Sequence, residues 1–301
     1  MHSCSRFAFH RLVAAATFLL FAVTAGAQSD YRPPLWQITA GNTTAYLFGT
    51  IHVGNADFYP LPASVDSAFR DSDLLVLEVD PADAQDATNA VMSAMYMPPD
   101  SIENHVSPAL LSRIGDISAA YGMPFQQIRQ MKPYMLMFTL TALEYARLGY
   151  NAANGIENHL SQRARGSGKQ IVALESMAQQ MQMLDNLSPQ LQAAMLEITL
   201  DEIAADEVTG MVGDMIAAWR SGNNRQLNDI LTVEERRLPE PLADEFRQRF
   251  LSERNVAMAD RIERMLLAGQ RIFVAVGALH MVGENGIPAL LTAKGYKVRQ
   301  L

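Results

Sequence analysis

Arg271-Ile272-Phe273-Val274-Ala275-Val276 is an apolar, β-rich run, and it leads directly into Gly277-Ala278-Leu279-His280. The same phrase, Gly-x-x-His, closes another such run near the other end of the chain: Ala45-Tyr46-Leu47-Phe48 precedes Gly49-Thr50-Ile51-His52. A strand that runs into Gly and then His places an imidazole at its C-terminal edge, where open α/β sheets bind ligands. Two imidazoles far apart in sequence are thereby expected to face one another across a single cleft.

The rest of the pattern agrees with an α/β sheet. Leu35 to Thr39 and Thr44 to Phe48 read as a hairpin around Ala40-Gly41-Asn42-Thr43, and Val65 to Phe69 as helix. Leu74 to Val79 reads as a strand buried on both faces, interrupted by Glu78, and Gln170 to Leu174 as another, ended by Glu175. Ser107-Pro108 and Ser188-Pro189 each supply a cap followed by Pro, the usual start of a helix. A helix around Ile287 to Ala293 and a strand over Tyr296 to Leu301 complete the chain. Strands alternating with helices predict an α/β fold: a central mixed sheet with long helical insertions at about 82–166 and 177–267. One domain over residues 28–301 is expected, with the cleft at the C-terminal ends of the strands.

The first residues read as an address. Arg6 and Arg11 precede the apolar run Leu12 to Val23, and Ala25-Gly26-Ala27 offers an Ala-x-Ala cleavage site. The run is shorter than the roughly 20 residues of a membrane span. Cleavage after Ala27 gives a chain starting at Gln28 in the periplasm or outside the cell, with no stable membrane insertion. It also removes Cys4, the single cysteine, so disulfides, thiolate ligands and a cysteine nucleophile are all excluded from the processed chain. The formal net charge of −8 argues against nucleic acid and anionic lipid as partners.

Four histidines follow the leader. His105, just before a helix cap, and His159, at a polar helix start, read as surface residues, whereas His52 and His280 are aimed at one edge. Glu78 and Glu175 share that geometry. A carboxylate at the end of a buried strand needs a metal, a cation or a proton to offset its desolvation. Two imidazoles and one or two carboxylates suit a divalent ion with a position left open for water. Such a site activates water and polarises a carbonyl, as hydrolysis requires. Free histidine values imply that the ion is lost as pH falls through about 6.5. Arg254, in a charged stretch of the last long helix, is expected to clamp a substrate carboxylate or an oxyanion. Met95-Tyr96-Met97, Met135-Leu136-Met137 and Met181-Gln182-Met183 read as apolar filling, with a thioether copper site as the alternative.

At these residues the chain resembles the TraB/GumN family, whose animal relatives are the Tiki proteases. The resembling pieces include Leu47 to His52, Leu75 to Glu78, Lys132-Pro133, Gly155-Ile156-Glu157, Ala173 to Ser176, Glu253-Arg254-Asn255 and Val276 to His280. Many relatives have Gly where this chain has Leu279, and Asp where it has Glu157. The resemblance implies a hydrolase fold akin to Tiki, erythromycin-esterase and haem-binding ChaN-like proteins. It implies metal ligation by His52, Glu78 and His280, with Arg254 in support and Mn, Co or Zn as the ion. A peptide substrate is implied first, and a small ester or amide next. The alternatives are a metal-free esterase-like hydrolase, with His52 as base oriented by Glu78 or Glu175, and a non-catalytic haem-, metal- or partner-binding protein.

Overall fold

The computed structural model describes residues 31–301, so the leader and its cleavage site lie outside the described residues. Its strands are β1 (Leu35–Ala40), β2 (Thr43–Thr50), β3 (Leu74–Leu77), β4 (Gln170–Ala173), β5 (Ile272–Gly277) and β6 (Lys297–Gln300). They form one mixed sheet in the order β4-β3-β5-β2-β1-β6. β4, β3, β5 and β2 run parallel, while β1 is antiparallel to both β2 and β6. The fold is α/β, as the sequence predicts. The third strand is shorter than its apolar pattern: β3 ends at Leu77, and Glu78 lies just beyond. Pairing nevertheless continues for two residues, because Leu174 N–H donates to the Leu77 carbonyl and Glu175 N–H to that of Glu78, each at 2.8 Å.

Successive side chains of a strand point to opposite faces, and the central strands are apolar on both. Phe48, Leu75, Leu77, Phe273 and Ala275 point to one side, under the helices Ala63–Asp71, Ile156–Ser167 and Val208–Ser221. Leu47, Val76, Ile272, Val274 and Val276 point to the other, under Glu253–Leu267 and Ile287–Ala293. The remaining helices build two apolar clusters of their own, one around Leu136, Leu140, Leu196 and Leu200, the other around Tyr134, Leu184 and Leu191. Met135, Met181 and Met183 pack against the second of these, the filling role expected of them, whereas Met97 is 70% exposed. The two Ser-Pro starts cap as predicted: the hydroxyls of Ser107 and Ser188 accept from the N–H groups of Leu110 and Leu191. Among the described residues no helix is long and apolar enough to cross a membrane.

Trp219 fixes the strand end that matters most. Fully buried, it stacks on Phe58 at a ring separation of 5.2 Å. Its Nε1–H donates to the carbonyl of Gly49 at 2.7 Å, three residues before His52. Trp219→Phe should leave that buried carbonyl without its donor, at a cost of about 1–3 kcal/mol. Urea unfolding measures this, and an unchanged unfolding free energy would show that the indole N–H contributes nothing.

Candidate active site

The parallel register sets the site. Thr50 of β2 stands opposite Gly277 of β5, and Leu77 of β3 opposite Ala275, so His52, Glu78 and Gly277 emerge at one edge. A short helical turn over Ala278–Met281 then turns His280 back into it, while Glu175 follows β4 on the far side of Glu78. The structure therefore gathers His52, Glu78, Glu175, Arg254 and His280 along the C-terminal ends of four parallel strands. A cleft of about 320 Å³ is lined by His52, Arg254, Gly277 and His280. Phe246, Phe250 and Leu251 add apolar walls. Two hollows of 540 Å³ lie away from these residues, beside Lys169 and beside His105.

Each imidazole is held by its Nδ1 atom. His52 Nδ1 lies 2.8 Å from Oε1 of Glu157, and that carboxylate also accepts from the Thr50 hydroxyl. Glu157 sits in the first turn of the helix Ile156–Ser167, where the helix N-terminus favours a negative charge. The close fit depends on Gly155, since a Cβ there would meet the carbonyl oxygen of His52 at 2.1 Å. His280 Nδ1 lies 2.5 Å from Oδ1 of Asn255, whose own amide donates to the carbonyl of Asn285 at 2.8 Å. That second bond fixes the amide, so its oxygen faces His280 and the ring carries its proton on Nδ1. Nε2 of His280 is left as a lone pair, 4.0 Å from Oε1 of Glu78. Nε2 of His52 lies 3.1 Å, and Oε2 of Glu78 3.5 Å, from the point where a Cβ on Gly277 would stand. Glycine keeps that point open.

The two carboxylates at the strand ends are tied to one guanidinium. Arg254 Nη2 donates to Oε1 of Glu78 at 2.5 Å and to Oε2 of Glu175 at 2.7 Å, and Nη1 donates to the carbonyl of Phe250. Gln180 bridges the same carboxylates, and Gly277 N–H donates to Oε2 of Glu78 at 3.2 Å. The geometry thus spends Arg254 on holding Glu78 and Glu175, where the sequence suggested a clamp for substrate. Neither carboxylate orients His52, because Glu157 does. His105 and His159 stay outside the cleft, stacked on Tyr96 and Tyr59.

The environments drive the two imidazoles apart in acidity. The Glu157 carboxylate, by its charge and its hydrogen bond, raises His52 to about 9. Solvent reaches 65% of that side chain and screens part of the attraction. Burial pushes His280 down to about 4 and keeps it neutral at pH 7. Burial alone would raise Glu78, but His280, His52, Arg254 and the Gly277 N–H together bring it to about 2. His280 being neutral, Arg254 is the permanent charge in that set. The single midpoint near 6.5 expected from free histidine therefore becomes two. With both imidazoles neutral, Glu78, Glu157 and Glu175 against Arg254 leave the site with a net charge of −2.

A TraB/PrgY/gumN family model matches residues 34–300. The chain belongs to that family. It is 29% identical over 264 residues to the protein named "Uncharacterized protein YbaP" of Escherichia coli, covering 87% of this chain and 94% of the relative. It is 23% identical over 317 residues to "Metalloprotease TIKI2" of Danio rerio, covering 90% of this chain. The sponge Amphimedon queenslandica has a similar "Metalloprotease TIKI homolog", 24% identical over 315 residues and 89% of this chain. The match spans 61% of each of these two longer relatives, and the likeness gives the family a link to proteolysis. No solved structure matches the chain.

The donor types fit a divalent ion: the Nε2 lone pair of His280, that of His52 once deprotonated, one carboxylate, an open point above Gly277 and an excess of negative charge. Nδ1 partners of this kind are what metal-bound imidazoles use to hold orientation and tautomer. The side chains stand wider apart than a closed coordination sphere, since among the described residues no three His, Cys, Asp or Glu are close enough to share an ion. Glu157 and Asn255 were visible in the sequence only as parts of motifs. Neither follows a strand, so the strand-end argument that found His52, Glu78, Glu175 and His280 passed over both.

Glu157→Gln should return the His52 midpoint from about 9 toward 6.5. The His52–Glu157 pairing stabilises the fold fully below pH 6.5, and this contribution is lost as pH rises through the raised value. The variant should therefore lose more stability at pH 6 than at pH 10. NMR titration of the His52 ring and unfolding at the two pH values give both readings. A midpoint that stays put would remove Glu157 from the account.

Proposed function

We propose that this chain is a hydrolase of peptide bonds that binds a divalent ion of the Mn, Co or Zn kind between His52, His280 and Glu78. The observation that carries the reading is the orientation of the two imidazoles. Each is fixed through Nδ1 so that Nε2 is turned toward the Glu78 side, in a pocket that carries an excess of negative charge once His52 gives up its proton. When bound, the ion would polarise the scissile carbonyl and lower the pKa of a water molecule. The chain's own groups do the rest. Arg254 and Gln180 hold Glu78 in place, and Glu157 fixes the His52 ring. His52 must surrender a proton before its Nε2 can bind anything, so ion binding is coupled to proton release. Phe246, Phe250 and Leu251 keep the cleft apolar, which strengthens every charge interaction inside it. The leader reading places this activity in the periplasm or outside the cell.

The His52–Glu157 pair also supports a second reading, a metal-free hydrolase with His52 as general base. Metal content and peptide hydrolysis, before and after chelation and after adding back Mn, Co or Zn, separate the two. Chelation should abolish turnover and one ion should restore it. Apparent ion affinity should rise with pH, about tenfold per unit while one proton is displaced, up to the raised His52 value. His52→Ala and His280→Ala should each remove activity in proteins that still fold, with His52→Ala losing the stability that its pairing with Glu157 contributes. Turnover that survives complete removal of metal would move the assignment to the second reading. Gly277→Ala, whose added Cβ stands between His52 Nε2 and Glu78 Oε2, should cut turnover by about 10–100-fold. Activity unchanged in that variant would show that the point above Gly277 is not where the reacting atoms sit.

A further inference from the structure

Behind the His52 edge lies a further hollow, of about 230 Å³, between the helices Pro189–Ala204, Val208–Ser221 and Asn224–Arg236. It shares Ile51, Val53, Tyr145 and Met215 with the cleft that holds His52 and His280, so the two cavities abut along those side chains. Ile51 and Val53 flank His52 directly in the chain. The interior is apolar, with Ile203 and Met211 among its walls, apart from Thr141, Thr199 and the carboxylates of Glu202 and Glu234. Those carboxylates are not free. Arg237 pairs with Glu202 at 3.1 Å, with Glu207 at 3.2 Å and with Glu234 at 3.5 Å. Three acids around one guanidinium leave the group negative. Burial and the neighbouring Glu234 hold Glu202 up to about 7, so added negative charge is poorly tolerated there.

We infer that this hollow is a specificity pocket: it takes one uncharged, apolar side chain of the substrate, of the Leu, Met or Phe class, from the residue beside the scissile bond. The inference rests on the hydrolase reading of the cleft and adds a substrate class to it. Three observations carry it. The hollow adjoins the convergence of His52, Glu78 and His280 through Ile51 and Val53. Its volume, at about 30 Å³ per water-sized atom, holds about seven heavy atoms, enough for Leu, Met or Phe. Its acids select against a carboxylate side chain. A side chain entering it replaces water against apolar walls, and that gain is realised beside the reacting atoms, where it favours one peptide over another.

The test uses the full processed chain and a set of fluorogenic peptides that differ only at the residues flanking the cleaved bond. Leu, Met and Phe should exceed Gly in kcat/KM by about tenfold or more, and Glu should fall below Gln. Met211→Trp fills the hollow without touching the cleft. It should erase the preference for large side chains while turnover of the Gly-flanked peptide stays within about twofold. Met211→Ala should extend tolerance to Trp-flanked peptides, and thermal melts confirm that both variants are folded. Hydrolysis with a side-chain preference that neither variant alters would overturn the pocket and leave the hydrolase reading intact. A dimer that Met211→Trp dissolves, with preference unchanged, would assign the hollow to a second copy of the chain and overturn it equally. If no peptide is cleaved, the hydrolase reading fails, and the pocket is judged by saturation-transfer NMR with N-acetyl-leucinamide. Binding to the parent that is lost in Met211→Trp supports it, and absence of binding overturns it.

Discussion

The parallel hydrogen-bond ladder between β2, β5 and β3 is the constraint from which the rest follows. It sets Thr50 against Gly277 and Leu77 against Ala275, so β2 and β5 finish level, and β3 stops two residues short with Glu78 just beyond its end. A slip of one residue in either pairing would turn every apolar side chain of a strand to the opposite face. With helices packed on both faces, no such slip is tolerated. The rigidity that protects the core therefore also places His52, Glu78 and the turn to His280 side by side.

Around that edge the chain concentrates charge in a way that packing alone does not explain. Glu78 and Glu175 sit together because β3 and β4 are neighbours, and Arg254 from the helix Glu253–Leu267 neutralises only part of their charge. Glu157 adds a third carboxylate from another helix, and one imidazole takes up a proton in response. Buried charge that is incompletely paired is costly, and folds keep it where it is used. The π-helical turn Arg247–Ser252, just before Arg254, fits the same view, since such turns recur beside functional sites.

The fold and the strand-end residues were legible because both rest on local signals. Apolar runs of strand length mark β2, β3, β4 and β5, and a glutamate or Gly-x-x-His at their ends marks the edge. What could not be read was every partner set by helix orientation. Glu157 meets His52 only because Gly155 lets the helix approach the His52 carbonyl, and Asn255 meets His280 only because the helix Glu253–Leu267 crosses the second face of the sheet. The commitment of Arg254 to Glu78 and Glu175 is a tertiary fact of the same kind, as is the opposite displacement of the two imidazoles from their ordinary acidity. Spacing along the chain carries no information about such contacts.

The position of β5 has a consequence for biosynthesis. This strand lies between β3 and β2 in the sheet, yet it is made of residues 272–277, far along the chain from β2 (43–50) and β3 (74–77). While the nascent chain is still shorter than that, β2 and β3 have no partner between them, and their apolar edges have nothing to pair with. The sheet is therefore closed by a strand made long after both of its neighbours, a non-local step that is intrinsically slow. Until then the facing edges of β2 and β3 are unpaired, the kind of surface that makes folding intermediates prone to aggregate. An incomplete product ending before β5 would lack the centre of the sheet, and with it any means of bringing the two halves of the site together.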